Sequence, residues 1–201
     1  MTAEALDGID GIERFDGIVL AGGRGSRLGG ADKASIVVGG RRLLDVAVDA
    51  LGHAKQIVVV GTPRPIAVQV RWSHEHPLGG GPVAAIAAAL PILVSDAVVI
   101  LAGDLPFVDR AAVERLVRER RGAAAVIAID ANGRDQPLLG CYDVAALRAA
   151  LPASPAGASM RSLTAAIEAA GRCRRISFDG RPSPTWDCDT PADLATAREL
   201  T

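Results

Sequence analysis

The stretch FDGIVLAGGRGSRLGGADK, residues 15–33, decides the architecture. Its first seven residues, Phe15–Ala21, form a short apolar run that breaks into glycine. That pattern predicts a buried strand feeding a loop. Outward from it, Ile57–Val60 (IVVV) and Ala97–Ala102 (AVVILA) repeat the buried-strand signal, and Ile66–Trp72 alternates weakly, as a strand nearer an edge would. Between them, Ile36–Val38 and a Gly39-Gly40 turn precede Arg41–Ala54, where Leu43, Leu44, Ala47, Val48 and Leu51 share one helical stripe. Val83–Val94 and Asp109–Arg121 also read as helices, the first kinked or shortened by Pro91. Ala123–Ile129 and Leu138–Tyr142 frame an Asn132-Gly133 turn and should pair as an antiparallel ribbon. Helices near Val144–Leu151 and Ser159–Ala170, a strand near Arg174–Phe178 and a helix from Ala192, with Pro191 at its start, complete the chain. Strands alternating with helices imply an α/β fold with a mostly parallel sheet and helices on both faces. No repeat or linker divides it, so residues 15–201 are expected to form one domain behind a flexible leader, 1–14.

Composition narrows the function. The 201 residues are 49% apolar and carry 22 basic against 23 acidic side chains, a formal net charge of -1. Such a chain can bury a core, and its balance argues against a dedicated nucleic-acid binder. No apolar run reaches the roughly 18 residues of a membrane span, and the acidic start lacks a signal-peptide pattern. Cys141, Cys173 and Cys188 are odd in number and far apart, which suits reduced thiols in a cytoplasmic protein. With six aromatic residues, the core must be made of Ala, Val, Leu and Ile.

The loop after the first strand carries the chemistry. Ligands of open α/β sheets bind beyond the carboxyl ends of strands. Gly22, Gly23, Gly25, Gly29 and Gly30 allow close backbone approach and expose amides, while Arg24, Arg27 and Lys33 add cations. Such a loop suits a triphosphate; a surface turn with incidental basic residues is the plainer reading. There is no G-x-x-x-x-G-K-[ST] sequence, and Leu28 breaks a G-x-G-x-x-G pattern. Asp104 follows AVVILA almost directly, where a carboxylate can hold a hard cation opposite phosphates or simply cap a turn. Asp187 and Asp189 form a second acidic pair, and Asp189 can be read as ligand or helix cap. His74, Glu75 and His76 lie in a polar loop without further ligands at metal-site spacing, and His53 reads as a helix-end residue. Neither Ser26 nor Ser35 has a local base, so covalent catalysis is not indicated.

At these residues the sequence resembles the molybdenum cofactor guanylyltransferases, the MobA-like nucleotidyltransferases. The resemblance runs through Leu20-Ala21-Gly22-Gly23, Arg27-Leu28-Gly29-Gly30 and Asp32-Lys33. It continues through Gly81-Pro82, Gly103-Asp104 with Pro106, Gly133-Arg134-Asp135 with Pro137, and Asp187 and Asp189-Thr190-Pro191. It implies a single-domain, three-layer Rossmann-like nucleotidyltransferase fold. It also implies transfer of GMP from GTP to molybdopterin with release of pyrophosphate. Carried over, Leu20, Ala21, Gly22 and Gly23 contact guanosine and phosphates, and Arg27 and Lys33 face the phosphates. Asp104 holds Mg2+; Asp189, from its position rather than from the resemblance, is the candidate second ligand. With a molybdopterin acceptor, the instability of a pterin suggests hand-over contacts with other molybdenum cofactor biosynthesis proteins. Leu28 stands where the family usually has Met, and Gly61 where an Asn often follows the second strand. Glu75 is the sole carboxylate in the segment where the family places an acid against the nucleotide, and some members have Asn at the positions of Asp187 and Asp189. Another nucleotidyltransferase of the same fold (cytidylyl, sugar-phosphate or phospholactate) and a non-catalytic nucleotide-binding regulatory subunit remain the alternatives.

Overall fold

A computed structural model describes residues 13–22 and 33–201. The strands are β1 (Phe15–Leu20), β2 (Val37–Val38), β3 (Arg41–Arg42), β4 (Ile57–Val60), β5 (Arg71–Ser73), β6 (Ala97–Ala102), β7 (Ala125–Ile129), β8 (Asp135–Asp143) and β9 (Cys173–Ser177). The helices are α1 (Leu43–Ala50), α2 (Pro82–Ala89), α3 (Arg110–Arg120), α4 (Val144–Ala150), α5 (Met160–Ala170) and α6 (Pro191–Glu199).

Seven strands make one sheet in the order β5-β4-β1-β6-β8-β7-β9. β1 pairs in parallel with β4 and β6, and β8 runs antiparallel to both of its neighbours. β1 and β4 are buried at every position, as strands covered on both faces must be. Two apolar clusters cover the two faces. One joins Val19, Val59, Val99 and Leu101 to Leu44 and Val48 of α1 and Leu116 of α3. The other joins Ile18, Val58, Val98 and Ile100 to Ile86 of α2 and Leu163 and Ile167 of α5. This is the expected three-layer α/β arrangement. A third, small cluster lies outside both: Val38, Leu43, Cys188 and Ala197 are buried together, with Ile36, Phe107 and Leu194 packed against them.

Several element boundaries differ from the sequence expectation. Gly39 and Gly40, at φ 54° and 75°, close a tight hairpin between β2 and β3. Arg41 and Arg42 therefore belong to a strand, and α1 spans only Leu43–Ala50. Of Ile66–Trp72 only the end is extended: β5 is Arg71–Ser73, an edge strand paired with β4. α2 stops at Ala89 and passes into one 3-10 turn, Leu90–Ile92, because Pro91 lacks the amide needed to continue.

The ribbon of β7 and β8 forms as expected, but β8 also pairs with β6 and so lies inside the sheet. Its ladder with β7 jumps from Ile127↔Gly140 to Ala128↔Gln136, which throws Pro137–Leu139 out as a bulge. The Tyr142 hydroxyl donates to the Pro137 carbonyl at 2.6 Å and fixes that bulge.

Candidate active site

The order of β4, β1 and β6 places a topological switch point between β1 and β6, because the chain winds to one side through β4 and β5 and to the other through β6. The carboxyl ends of β1 and β6 are pulled together there. The Gly103 amide donates to the Leu20 carbonyl at 3.0 Å, and the Ala21 amide to the Val60 carbonyl at 2.9 Å. A Cβ on Gly103 would lie 2.9 Å from the Leu20 oxygen, and one on Gly61 would lie 2.9 Å from the Ala21 carbonyl carbon. Close strand ends therefore account for both glycines, including Gly61 at the family's Asn position.

A cavity of about 490 Å3 opens beyond these ends. Leu20, Ala21 and Gly22 form one wall, Gly103 and Asp104 another, and Gly81 and Pro82 at the start of α2 a third. Lys33 and Glu75 also line it. Every described residue assigned to nucleotide binding from the sequence thus borders one space. Gly23 and Arg27 lie outside the described residues. Glu75 is already engaged locally, since its Oε1 accepts from the Gly79 amide at 2.8 Å and closes the loop that carries Leu78, another lining residue.

A second cavity, of about 290 Å3, lies on the other side of Asp104. Gln136 of β8 and Pro137 and Leu138 of its bulge line it with Met160, Asp187 and Asp189. Ala102, Asp104 and Leu138 border both spaces, so the Asp104 carboxylate stands at their junction. Sequence pattern alone did not point to Gln136, Leu138 or Met160 as lining residues. Pro137, just before the run Leu138–Tyr142, is the one available signal.

The electrostatic centre is Lys33. Its ammonium donates to Asp104 Oδ2 at 3.0 Å and to Asp189 Oδ1 at 2.5 Å. Its partial burial favours the neutral amine, but the hydrogen bond to Asp189 and the charge of Asp104 outweigh that and hold its pKa above the ordinary lysine value. Burial, and then the charges of Asp189 and Asp104, push the Asp187 carboxyl upward. Negative charge is therefore crowded at this spot.

The cap of α6 is Thr190, whose hydroxyl accepts from the Asp193 amide while Asp193 accepts in return from the Thr190 amide. Asp189 is therefore not the N-cap, and its carboxylate turns toward Lys33. Asp109, not Asp104, caps α3.

Asp104 and Asp189 supply hard oxygen donors suited to Mg2+. Among the described residues no three His, Cys, Asp or Glu side chains meet at a metal position. Two carboxylates completed by substrate phosphates and water match the way Mg2+ is commonly held, so the residues fit the ion. His74 and His76 join no such cluster among the described residues. His53, just beyond α1, has Nδ1 3.0 Å from Glu114. The three cysteines are free thiols. Burial pushes Cys141 up to about 12 and Cys188 up to about 11, which suits neither as a nucleophile.

A mostly parallel α/β sheet with a cavity at its switch point is a Rossmann-like arrangement, and the family model and solved structures that match it place it among the nucleotidyltransferases. The family follows from sequence: residues 17–174 match the MobA-like NTP transferase domain, and the chain belongs to that family. It is 33% identical to a molybdenum cofactor guanylyltransferase of Cereibacter sphaeroides, over 93% of this chain and 97% of that protein. A molybdenum cofactor guanylyltransferase of Rhodopseudomonas palustris is 30% identical over 91% of this chain and 90% of its own length. Among solved structures, molybdopterin-guanine dinucleotide biosynthesis protein A of Archaeoglobus fulgidus superposes with a TM-score of 0.69 at 23% identity, over 92% of this chain and 97% of that one. The 2-C-methyl-D-erythritol 4-phosphate cytidylyltransferase of Thermus thermophilus gives 0.72 at 20% identity, over 93% and 98%. The fold is thus shared across proteins named for different bases and acceptors. No helix among the described residues is long and apolar enough to cross a membrane.

Proposed function

We propose that the protein transfers the guanylyl group of GTP to molybdopterin, forming the guanine dinucleotide form of the cofactor and releasing pyrophosphate. The observation that carries this reading is the convergence of Leu20-Ala21-Gly22, Lys33 and Asp104 on one cavity, in a chain that matches guanylyltransferases over nearly its full length.

The larger cavity takes GTP and the smaller one takes the acceptor, so that the α-phosphorus comes to Asp104 between them. An oxygen of the acceptor's terminal phosphate forms a bond to that phosphorus. The bond from the α-phosphorus to the bridging oxygen breaks, and pyrophosphate leaves with the electron pair. A phosphate monoester is already anionic near neutral pH, so no side chain need remove a proton, and positioning with charge neutralisation supplies the catalysis. Asp104, with Asp189 as a second ligand, would hold Mg2+, which when bound supplies Lewis-acid stabilisation of phosphate oxygens. Lys33 and Arg27 hold the triphosphate and balance the charge gained by the leaving group. Glu75, by fixing its loop against the Gly79 amide, shapes the wall that faces the nucleoside.

Guanine over cytosine rests on Gly22. A Cβ there would meet nothing closer than the Val60 oxygen at 3.8 Å, so the fold does not require glycine, yet the residue lines the cavity. The space a methyl group would fill is left for the base. The acceptor also suggests hand-over contacts with other molybdenum cofactor biosynthesis proteins, in the cytoplasm.

Pyrophosphate release with GTP, Mg2+ and molybdopterin tests the assignment. The expected result is release that depends on all three and exceeds that with CTP. Dominant use of CTP would move the protein to a cytidylyl activity, and tight GTP binding without turnover on any acceptor would make it a nucleotide sensor.

A further inference from the structure

We propose that Lys33 is a resident counter-cation that keeps the Asp104–Asp189 site closed to a divalent ion until nucleotide phosphates draw its ammonium away. The inference rests on the nucleotidyltransferase reading for the identity of the anion, but its central test uses no nucleotide.

The geometry is specific. One ammonium donates to carboxylates from two distant parts of the chain, at 3.0 Å to Asp104 and 2.5 Å to Asp189. These are the two oxygen donors a metal would share. The same ammonium is the described cation on the cavity wall beside Leu20–Gly22. Two of its three N–H donors and most of its single charge are committed to the carboxylates, so it cannot turn fully to phosphates without loosening those pairs.

The arrangement is also built rather than incidental. Lys33 opens a 3-10 turn whose next residues, Ile36 and Val38, enter the small third cluster with Leu194 and Ala197 of α6 and with Cys188. Arg198 donates to the Val37 carbonyl at 3.4 Å, and the Cys188 amide donates to the Asp104 carbonyl at 3.1 Å. The mounts of Lys33, Asp104 and Asp189 are therefore fastened to one another independently of the ion pairs. Removing the lysine leaves two carboxylates facing each other across the vacated position. That state binds a divalent cation more strongly than the resting site does.

Phosphates that compete for Lys33 have the same effect as removing it. Metal and nucleotide binding are then positively coupled, and the coupling is reciprocal. Lys33 sets its size.

Mn2+ binding followed by electron paramagnetic resonance of the free ion tests this in full-length protein without nucleotide. Wild type should bind weakly, and Lys33→Met should bind about tenfold tighter. Lys33→Arg, which keeps the charge, should stay near wild type. In wild type, GTP should raise Mn2+ affinity, and in Lys33→Met it should raise it much less. Asp104→Asn should bind little Mn2+ in either background, which ties the signal to this site. Circular dichroism of each variant establishes that it is folded. Equal or weaker Mn2+ binding by folded Lys33→Met overturns the proposal, as does tight Mn2+ binding by wild type alone. An unfolded Lys33→Met would also overturn it, because the lysine would then be a structural tie. Failure of the functional reading looks different: it is the absence of guanylyl transfer, whatever the Mn2+ titration gives.

Discussion

Two aspartates at opposite ends of neighbouring parallel strands separate structure from chemistry in this molecule. Asp16, near the amino end of β1, is completely buried. Its oxygens accept from the Val94 amide at 2.6 Å, the Ser95 amide at 3.1 Å, the Ser95 hydroxyl at 2.8 Å and the Gln56 side-chain amide at 2.9 Å. Every donor is neutral and locally anchored, and nothing is left for a ligand. Asp104, just past the carboxyl end of β6, is 19% exposed at its side chain and meets the partly exposed ammonium of Lys33. It borders two cavities. A carboxylate saturated by fixed neutral donors ties loops to a sheet, whereas one balanced by a side-chain cation beside open space can exchange partners.

Substitution at the two sites should break the molecule in different ways. Asp104→Ala should lower turnover by about 10²–10³ or more, the usual cost of losing one preorganised electrostatic partner at a phosphoryl centre. Its thermal unfolding should stay close to wild type, because the carboxylate is not part of a packed core. Steady-state pyrophosphate release together with calorimetry checks both halves. A variant with near-wild-type, Mg2+-dependent turnover would remove Asp104 from the site. Asp16→Ala should do the reverse. It strands the Val94 and Ser95 amides and removes one partner of the Gln56 side chain, and should cost about 2–3 kcal/mol of stability in urea unfolding, since unmet buried donors are expensive. The kcat of the folded fraction should be unchanged. A stable Asp16→Ala protein would show that water satisfies those donors and that the saturation argument is too strong.

The contrast was half legible in the sequence. Runs such as IVVV and AVVILA announce strands buried on both faces, and a carboxylate directly after one of them already stands where α/β sheets bind ligands. Asp16 carried no comparable signal, because its partners come from a turn far along the chain. Nor did local pattern give Lys33–Asp189, a contact across 156 positions that depends on the cluster joining the β2–β3 hairpin to α6. The insertion of β8 between β6 and β7 was hidden for a similar reason. A hairpin signal fixes which strands pair with each other, not which third strand completes the ladder. The periodicity that follows Arg41–Arg42 reads as a helix through them, while the paired positive-φ glycines require a hairpin.

Glycines sharpen the same distinction at smaller scale. Gly103→Ala should destabilise the fold, since its Cβ would press on the Leu20 oxygen at 2.9 Å. Gly22→Ala should leave unfolding within about 0.5 kcal/mol of wild type, as surface changes without a steric conflict do. Its effect should fall on nucleotide choice, lowering kcat/KM for GTP relative to CTP by about tenfold, the scale of one misplaced methyl group in a binding pocket. Competition assays with the two nucleotides decide it, and an unchanged ratio would mean that the base does not lie against Gly22.

The smallest effect concerns the mount of Asp189. Thr190→Ala removes the side-chain half of the capping box at α6 and should cost about 1 kcal/mol. Asp189 lies immediately before that cap, and its carboxylate reaches Lys33 from a segment held at its other end by the Cys188 amide on the Asp104 carbonyl. Loosening one of two fixings should therefore raise KM for GTP a few-fold, through a less well-placed Lys33, while kcat moves little. Replacement by Ser, which keeps the hydroxyl, should restore both stability and KM. Recovery of stability without KM would place the start of α6 in direct contact with a substrate, and would make the C-terminal helix part of the binding surface rather than its support.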